Sequence, residues 1–249
     1  MDVLINPINK IYMQDLHTKL TLAMLVIWVI FACLGLILKN EKYKFYTTAG
    51  LIFFGLFQEI VDFSNRIFFD DLYIMSWNQD LPLHLCNLAL ITAVLLLFIY
   101  IGNKDNNYRQ ILFDFTYMIA FSGALNAILT VEWDFINNYL GVITGHLQHS
   151  LIILYTIWAI AAYGARFSYR SIWRTLLFLN LLIFPVGLIN YFLDANYIYL
   201  CKAPNVENPL LFTKEWPWYI IGLDLLAIIY MHILYLPFWL IKCFYNDSK

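Results

Sequence analysis

Leu81-Pro82-Leu83-His84-Leu85-Cys86-Asn87 opens onto an apolar run, Leu88-Ala89-Leu90-Ile91-Thr92-Ala93-Val94-Leu95-Leu96-Leu97-Phe98-Ile99-Tyr100-Ile101, that holds no acidic or basic residue. A helix needs about 20 such residues to cross a bilayer, so the spacing predicts a membrane span over 82–101. Pro82 suits the first turn, where its missing N–H has no intrahelical partner to lose. Cys86 then lies about one turn inside the helix. The positive end of the helix dipole favours the thiolate, the reactive form of the side chain. The plain alternative is that Cys86 is a small buried hydrophobe.

Working outward, 62% of the 249 residues are hydrophobic and 13% charged, with a mean hydropathy of +0.68. Soluble domains average about 25% charged residues, which excludes that class. Seven apolar segments reach membrane-spanning length, at 18–38, 46–67, 82–101, 110–130, 142–164, 172–193 and 218–241. The expectation is an all-α, multi-pass helix bundle in the cell membrane, one integral membrane domain over residues 1–249. The connection 194–217, with Pro204, Pro209 and Pro217, reads as an ordered cap. Cys33, Cys86, Cys201 and Cys243 form no Cys-x-x-Cys pair, so neither a redox motif nor a disulfide framework is expected.

Basic residues set the orientation. Lys39, Lys42, Lys44, Lys104, Arg109, Arg166, Arg170, Arg174, Lys242 and Lys249 fall at one end of the segments. The other end has Lys10, Lys19, Arg66, Lys202 and Lys214 against Asp2, Asp15, Asp70, Asp71, Asp80, Glu132, Asp134, Asp194, Glu207 and Glu215. The positive-inside rule then places the N-terminus outside and the C-terminus in the cytoplasm.

With that orientation Cys86, His146, His149, Asp224, Glu59, Asp62, Asn126 and Asn190 all fall in the outer halves of their segments. Ionisable groups at membrane depth face a bundle interior or a wet cavity, so they are functional candidates. A shared polar pocket is expected, with Asp114 as the exception near the inner end. His146 and His149 share a helical face. Their chemistry is either that of a base for a Cys86 nucleophile in acyl transfer or that of a helix-joining pair. Asn87 or Asn126 would support an oxyanion, His84 would orient a headgroup, and Glu59 with Asp62 would steady a histidinium or bind a cationic headgroup. A metal is not expected, because no acidic or cysteine ligand has an orthodox spacing. The rival class is a transporter or a receptor-like or lipid-binding protein using Glu59, Asp62, Asp114 and Asp224; a structural membrane protein without chemistry is the third reading. No Gly-rich phosphate loop, nucleic-acid-binding pattern or cofactor motif occurs.

The motif Leu81-Pro82-Leu83-His84-Leu85-Cys86, with Asn126, His149-Ser150, Asn190-Tyr191, Asn196-Tyr197, Pro204 and Trp216-Pro217-Trp218-Tyr219, resembles the YwaF-type integral membrane family, whose animal relative is transmembrane protein 164. The resemblance covers about residues 45–240. It implies a lipid acyltransferase that moves a fatty acyl chain from a phospholipid to a lysophospholipid through a cysteine thioester. On that basis Cys86 carries the acyl group, and His149, with His146 close by, assists. A lipoprotein acceptor, or water in a hydrolase, stays open. More distantly the seven-span bundle is similar to the androgen-induced membrane hydrolases.

Overall fold

The computed structural model describes residues 7–102, 107–133, 136–204 and 211–246. Asp2, Lys104, Asp134, Glu207, Pro209 and Lys249, used above for orientation and for the cap, lie outside them. The described residues are helical with no strand. The order is α1 (Pro7–Ile37), α2 (Glu41–Ser64), α3 (Leu85–Ile101), α4 (Asn107–Ile119), α5 (Tyr139–Tyr163), α6 (Tyr169–Leu193) and α7 (Trp218–Asn246). A π turn, Asn65–Phe69, prolongs α2, and another, Ala120–Ala124, carries α4 on into Leu125–Leu129.

Five of these helices, α1, α4, α5, α6 and α7, are long and apolar enough to cross a membrane. Two of the seven expected spans fall short of that combined length and hydropathy. The third is apolar but has only 17 residues, about 26 Å of helix. The second is long enough, but Glu41, Lys42, Lys44, Glu59 and Asp62 dilute its hydropathy. The first starts eleven residues earlier than the expected 18, at Pro7 in place of the first apolar residues. Propensity and a proline near the first turn extend a helix past its apolar stretch, which a hydropathy window does not register. The third begins at Leu85 in place of 82, with Pro82 in the turn before it. Cys86 is thus the second helical residue, closer to the dipole end than expected.

One hydrophobic cluster draws from all seven helices: Trp28, Leu51, Leu97, Phe115, Trp158, Ile172 and Met231 are among its members. Helix α5 runs through the middle, touching α1, α2, α3 and α4. Small residues permit its closest crossing: a Cβ on Gly35 would lie 2.7 Å from Ala161 Cβ and 2.9 Å from the backbone of Ala162. Polar side chains lock the same crossings. Trp28 Nε1 donates to Ser150 O (3.1 Å), Tyr155 Oη to Leu51 O (2.6 Å), Gln58 Nε2 to Thr144 O (3.0 Å) and Trp158 Nε1 to Thr48 Oγ1 (2.9 Å). In a low-dielectric setting each such donor would be costly unpaired.

Candidate functional site

The Pro-Leu-His-Leu-Cys stretch is held by the connection that follows α6. Tyr197, fully buried, accepts from Leu81 N (2.9 Å) and donates to Trp77 O (2.8 Å) through one hydroxyl. Asn190 fixes Tyr197 in turn, accepting from its N–H (2.8 Å) and donating to its carbonyl (3.0 Å). His84 precedes α3 and sets its ring against Tyr197 (5.1 Å) and Tyr199 (6.1 Å). Burial, then the Arg66 guanidinium, hold His84 below the ordinary histidine range. Burial and Glu132 push the Tyr199 phenol up to about 12, so it stays protonated. Ile198 and Tyr199 adopt left-handed backbone (φ 58° and 55°). For non-glycine residues that costs about 1–3 kcal/mol each, held in place by surrounding contacts.

These strained residues form one wall of a cavity of about 300 Å³. The others come from α4 (Met118, Ser122, Gly123, Asn126), α6 (Leu179, Ile183), α7 (Ile220, Leu223, Asp224, Ala227, Tyr230) and Leu85 of α3. Gly123 sits in the π turn of α4, and a Cβ there would lie 3.9 Å from Cys86 Sγ. Cys86 itself is not among the lining residues; its sulfur lies behind Gly123, with the Ile119 side chain also beside that glycine. Cys86 is a free thiol with no hydrogen-bond partner among the described residues, packed against the core cluster. Its backbone N–H belongs to the first turn of α3, where N–H groups have no intrahelical acceptor.

Two hydroxyls of the polar lining already donate elsewhere. Ser122 Oγ donates to Met118 O (2.7 Å) and Tyr230 Oη to Phe121 O (2.9 Å), which leaves both oxygens offering lone pairs. Asp224 has Asn180 beside it and no cation paired to it among the described residues.

The two predicted histidines do not reach this cavity. His149 Nδ1 lies 2.9 Å from Gly145 O; a carbonyl only accepts, so Nδ1 carries the proton and Nε2 keeps a lone pair. His146 turns to α1, with Nδ1 3.2 Å from His17 Nδ1. No hydrogen bond joins either to Cys86. The single shared pocket expected from depth is therefore two separate polar regions, because the six helices present their polar faces to different neighbours. Among the described residues no cluster of three or more histidine, cysteine or acidic side chains could hold a metal ion.

The remaining candidates have local partners. Asp62 pairs with Arg66, which also reaches Asp80 (3.4 Å); Asp80 accepts from Tyr73 and from Ser76 N (2.7 Å). Burial and that carboxylate push the Tyr73 phenol up to about 12. Asp62 thus anchors the loop before α3. Glu59 accepts from Gln148 Nε2 (3.2 Å). Asn87 follows Cys86 in the first turn of α3 and does not line the cavity. Asp114 accepts from Arg174 Nε (2.8 Å) and Gln110 Nε2 (2.7 Å), so the inner acid is one half of an ion pair.

The sequence profile of the TMEM164 family matches residues 12–235. The chain belongs to the TMEM164 family. No curated protein and no solved structure matches it. The matched stretch of this TMEM164-family chain contains Cys86, both α5 histidines, Asn126 and Asp224, and also residues that sequence reading passed over. Among these are His17, ahead of the first apolar stretch, and Gly123, Ser122 and Tyr199, which only the packing of α3 against α4 and the cap brings to Cys86. The extension of α1 back to Pro7 is the one signal that could have put His17 in the bundle.

Proposed function

We propose that this TMEM164-family member is a membrane-embedded lipid acyltransferase working through a Cys86 thioester, with a phospholipid as acyl donor and a lysophospholipid or lipoprotein as acceptor. The observation that carries the reading is the place of Cys86: second residue of a helix, its sulfur against a glycine in the wall of a mostly apolar cavity of about 300 Å³. Such a cavity suits an acyl chain, and the first-turn N–H groups of the helix can donate to an oxyanion formed beside the sulfur.

The thiol proton passes to a histidine of α5, and sulfur attacks the ester carbonyl. The C–S bond forms as the ester C–O bond breaks, and the departing lysolipid oxygen takes the proton. In the second half an acceptor hydroxyl or amine attacks the thioester, its proton returning to sulfur through the same base. The resemblance names His149 for that role, and His146 presents the same free Nε2. Either must close on the thiol when lipid is bound, since hydrogen bonds of resting sites tighten only in the complex. No step calls for a cofactor. Asn126 lines the wall to polarise the carbonyl, and His84, held by the cap, faces the entry. The orientation proposed is N-terminus outside and C-terminus cytoplasmic, in the cell membrane.

Intact-protein mass spectrometry of detergent-purified protein with a defined phospholipid tests this. The wild type is expected to gain one fatty-acyl mass and Cys86→Ala none; a folded wild type that never gains it sinks the thioester route. One observation favours a second reading, binding or transport of a cation-bearing ligand: Asp224 lines the cavity beside Asn180 with no cation paired to it among the described residues. Under that reading Asp224→Asn abolishes function and Cys86→Ser leaves it intact.

A further inference from the structure

We infer that His17 is a positioning residue of the acyl-transfer site, one that sets His146 as the proton acceptor through a half-buried chain from Ile128 to His17 to His146. The inference rests on the proposed transfer with a base on α5, and it chooses between the two histidines there.

Hydrogen-bond chemistry orders the protons along the chain, with the Leu20 backbone a further partner of His146. His17 Nε2 lies 2.9 Å from Ile128 O, which only accepts, so His17 carries its proton on Nε2. Its Nδ1 is then a lone pair in the neutral ring. The 3.2 Å contact between the two Nδ1 atoms needs a donor, and His146 must supply it. That leaves His146 Nε2 with a bare lone pair, buried and without a partner, on a residue only 4% exposed. The rings are held edge to face at 4.7 Å, and Trp133 closes the other side of His17 at 5.8 Å.

His149 lacks this construction. Its Nδ1 bonds the carbonyl four residues back in its own helix, the same link that exposed His232 makes to Ile228 O (2.8 Å). That contact is available to any helical histidine and singles out none. The His146 partner comes from another helix, 129 residues away, and is itself tied to α4 two residues beyond Asn126 of the cavity wall. Ser150 Oγ, one turn along the same face of α5, is the second buried polar atom there without a partner. A histidine whose far nitrogen is fixed by an oriented acceptor is the arrangement that holds a general base in one tautomer and stabilises its protonated form. On protonation the positive charge is shared with a second ring.

The test combines rates of Cys86 acylation by intact mass with ¹⁵N spectra of histidine-labelled protein, for the wild type, His17→Ala, His17→Gln, His146→Ala and the double alanine variant. His17→Ala is expected to slow acylation by about 10-fold or more, with added imidazole restoring part of the rate. His17→Gln, whose amide both donates and accepts, should keep most of it. The double variant should be no slower than His146→Ala alone, and His146 should lose its uniform Nδ1–H form in His17→Ala. Additive losses, or a His146 tautomer unchanged without His17, overturn the inference. A wild type that takes up no acyl group refutes the proposed function instead; the ¹⁵N spectra of His17→Gln and His17→Ala still decide whether His17 sets His146.

Discussion

Asp114 and Asp224 are both acids inside apolar helices, and their surroundings could hardly differ more. Asp114, 1% exposed, is closed on itself: Arg174 and Gln110 occupy its two oxygens, and Gln110 also donates to Arg166 O (3.0 Å). Asp224 borders a cavity with no cation paired to it among the described residues. A buried charge that is fully paired holds helices together, whereas one facing open space is available to a ligand. Depth and residue type alone do not separate the two cases.

The comparison can be broken most forcefully at the closed end. Asp114→Ala strands the Arg174 guanidinium and should lower unfolding free energy by about 3 kcal/mol, discounted because that side chain is one third exposed. Thermal melting in detergent measures it; an unchanged midpoint would mean the pair does not tie α4 to α6. Next in size is Asn190→Ala, which removes both hydrogen bonds to the Tyr197 backbone and should cost about 2 kcal/mol. Its signature is faster proteolysis in 194–204 ahead of global unfolding.

Smaller still is the effect of acid on the cap. His84 is held below its ordinary value, so the unfolded chain binds its proton more readily than the folded one. Its contribution is whole above the ordinary histidine pKa and is lost as pH falls below it. The wild-type midpoint should therefore drop between pH 7 and 5 by more than that of His84→Gln. At the open end, Asp224→Asn should leave stability within about 0.5 kcal/mol of wild type, because no partner is stranded. A loss as large as that of Asp114→Ala would erase the contrast.

Helix content was legible because it is local: apolar runs of about 20 residues appear in any window, and five of the seven expected spans have the length and hydropathy to cross. Cys86 could be picked out for a similar reason, since a helix entry with Pro, His, Cys and Asn is visible in seven consecutive residues. The Asp62–Arg66 pair is legible for the same reason, since four residues along one helix put the two charges on one face.

The chain's apolar runs by themselves determined that it is a helical membrane protein, because burying so much apolar surface in lipid leaves few other solutions. They also show which polar residues interrupt apolar helices. Which of those meet was decided by tertiary packing alone. Helix rotation sends His146 to His17 and Asp114 to Arg174, and it sets Cys86 against Gly123, across separations of 129, 60 and 37 residues. A turn of about 100° per residue moves a side chain to another neighbour, and only the simultaneous fit of all seven helices selects that angle.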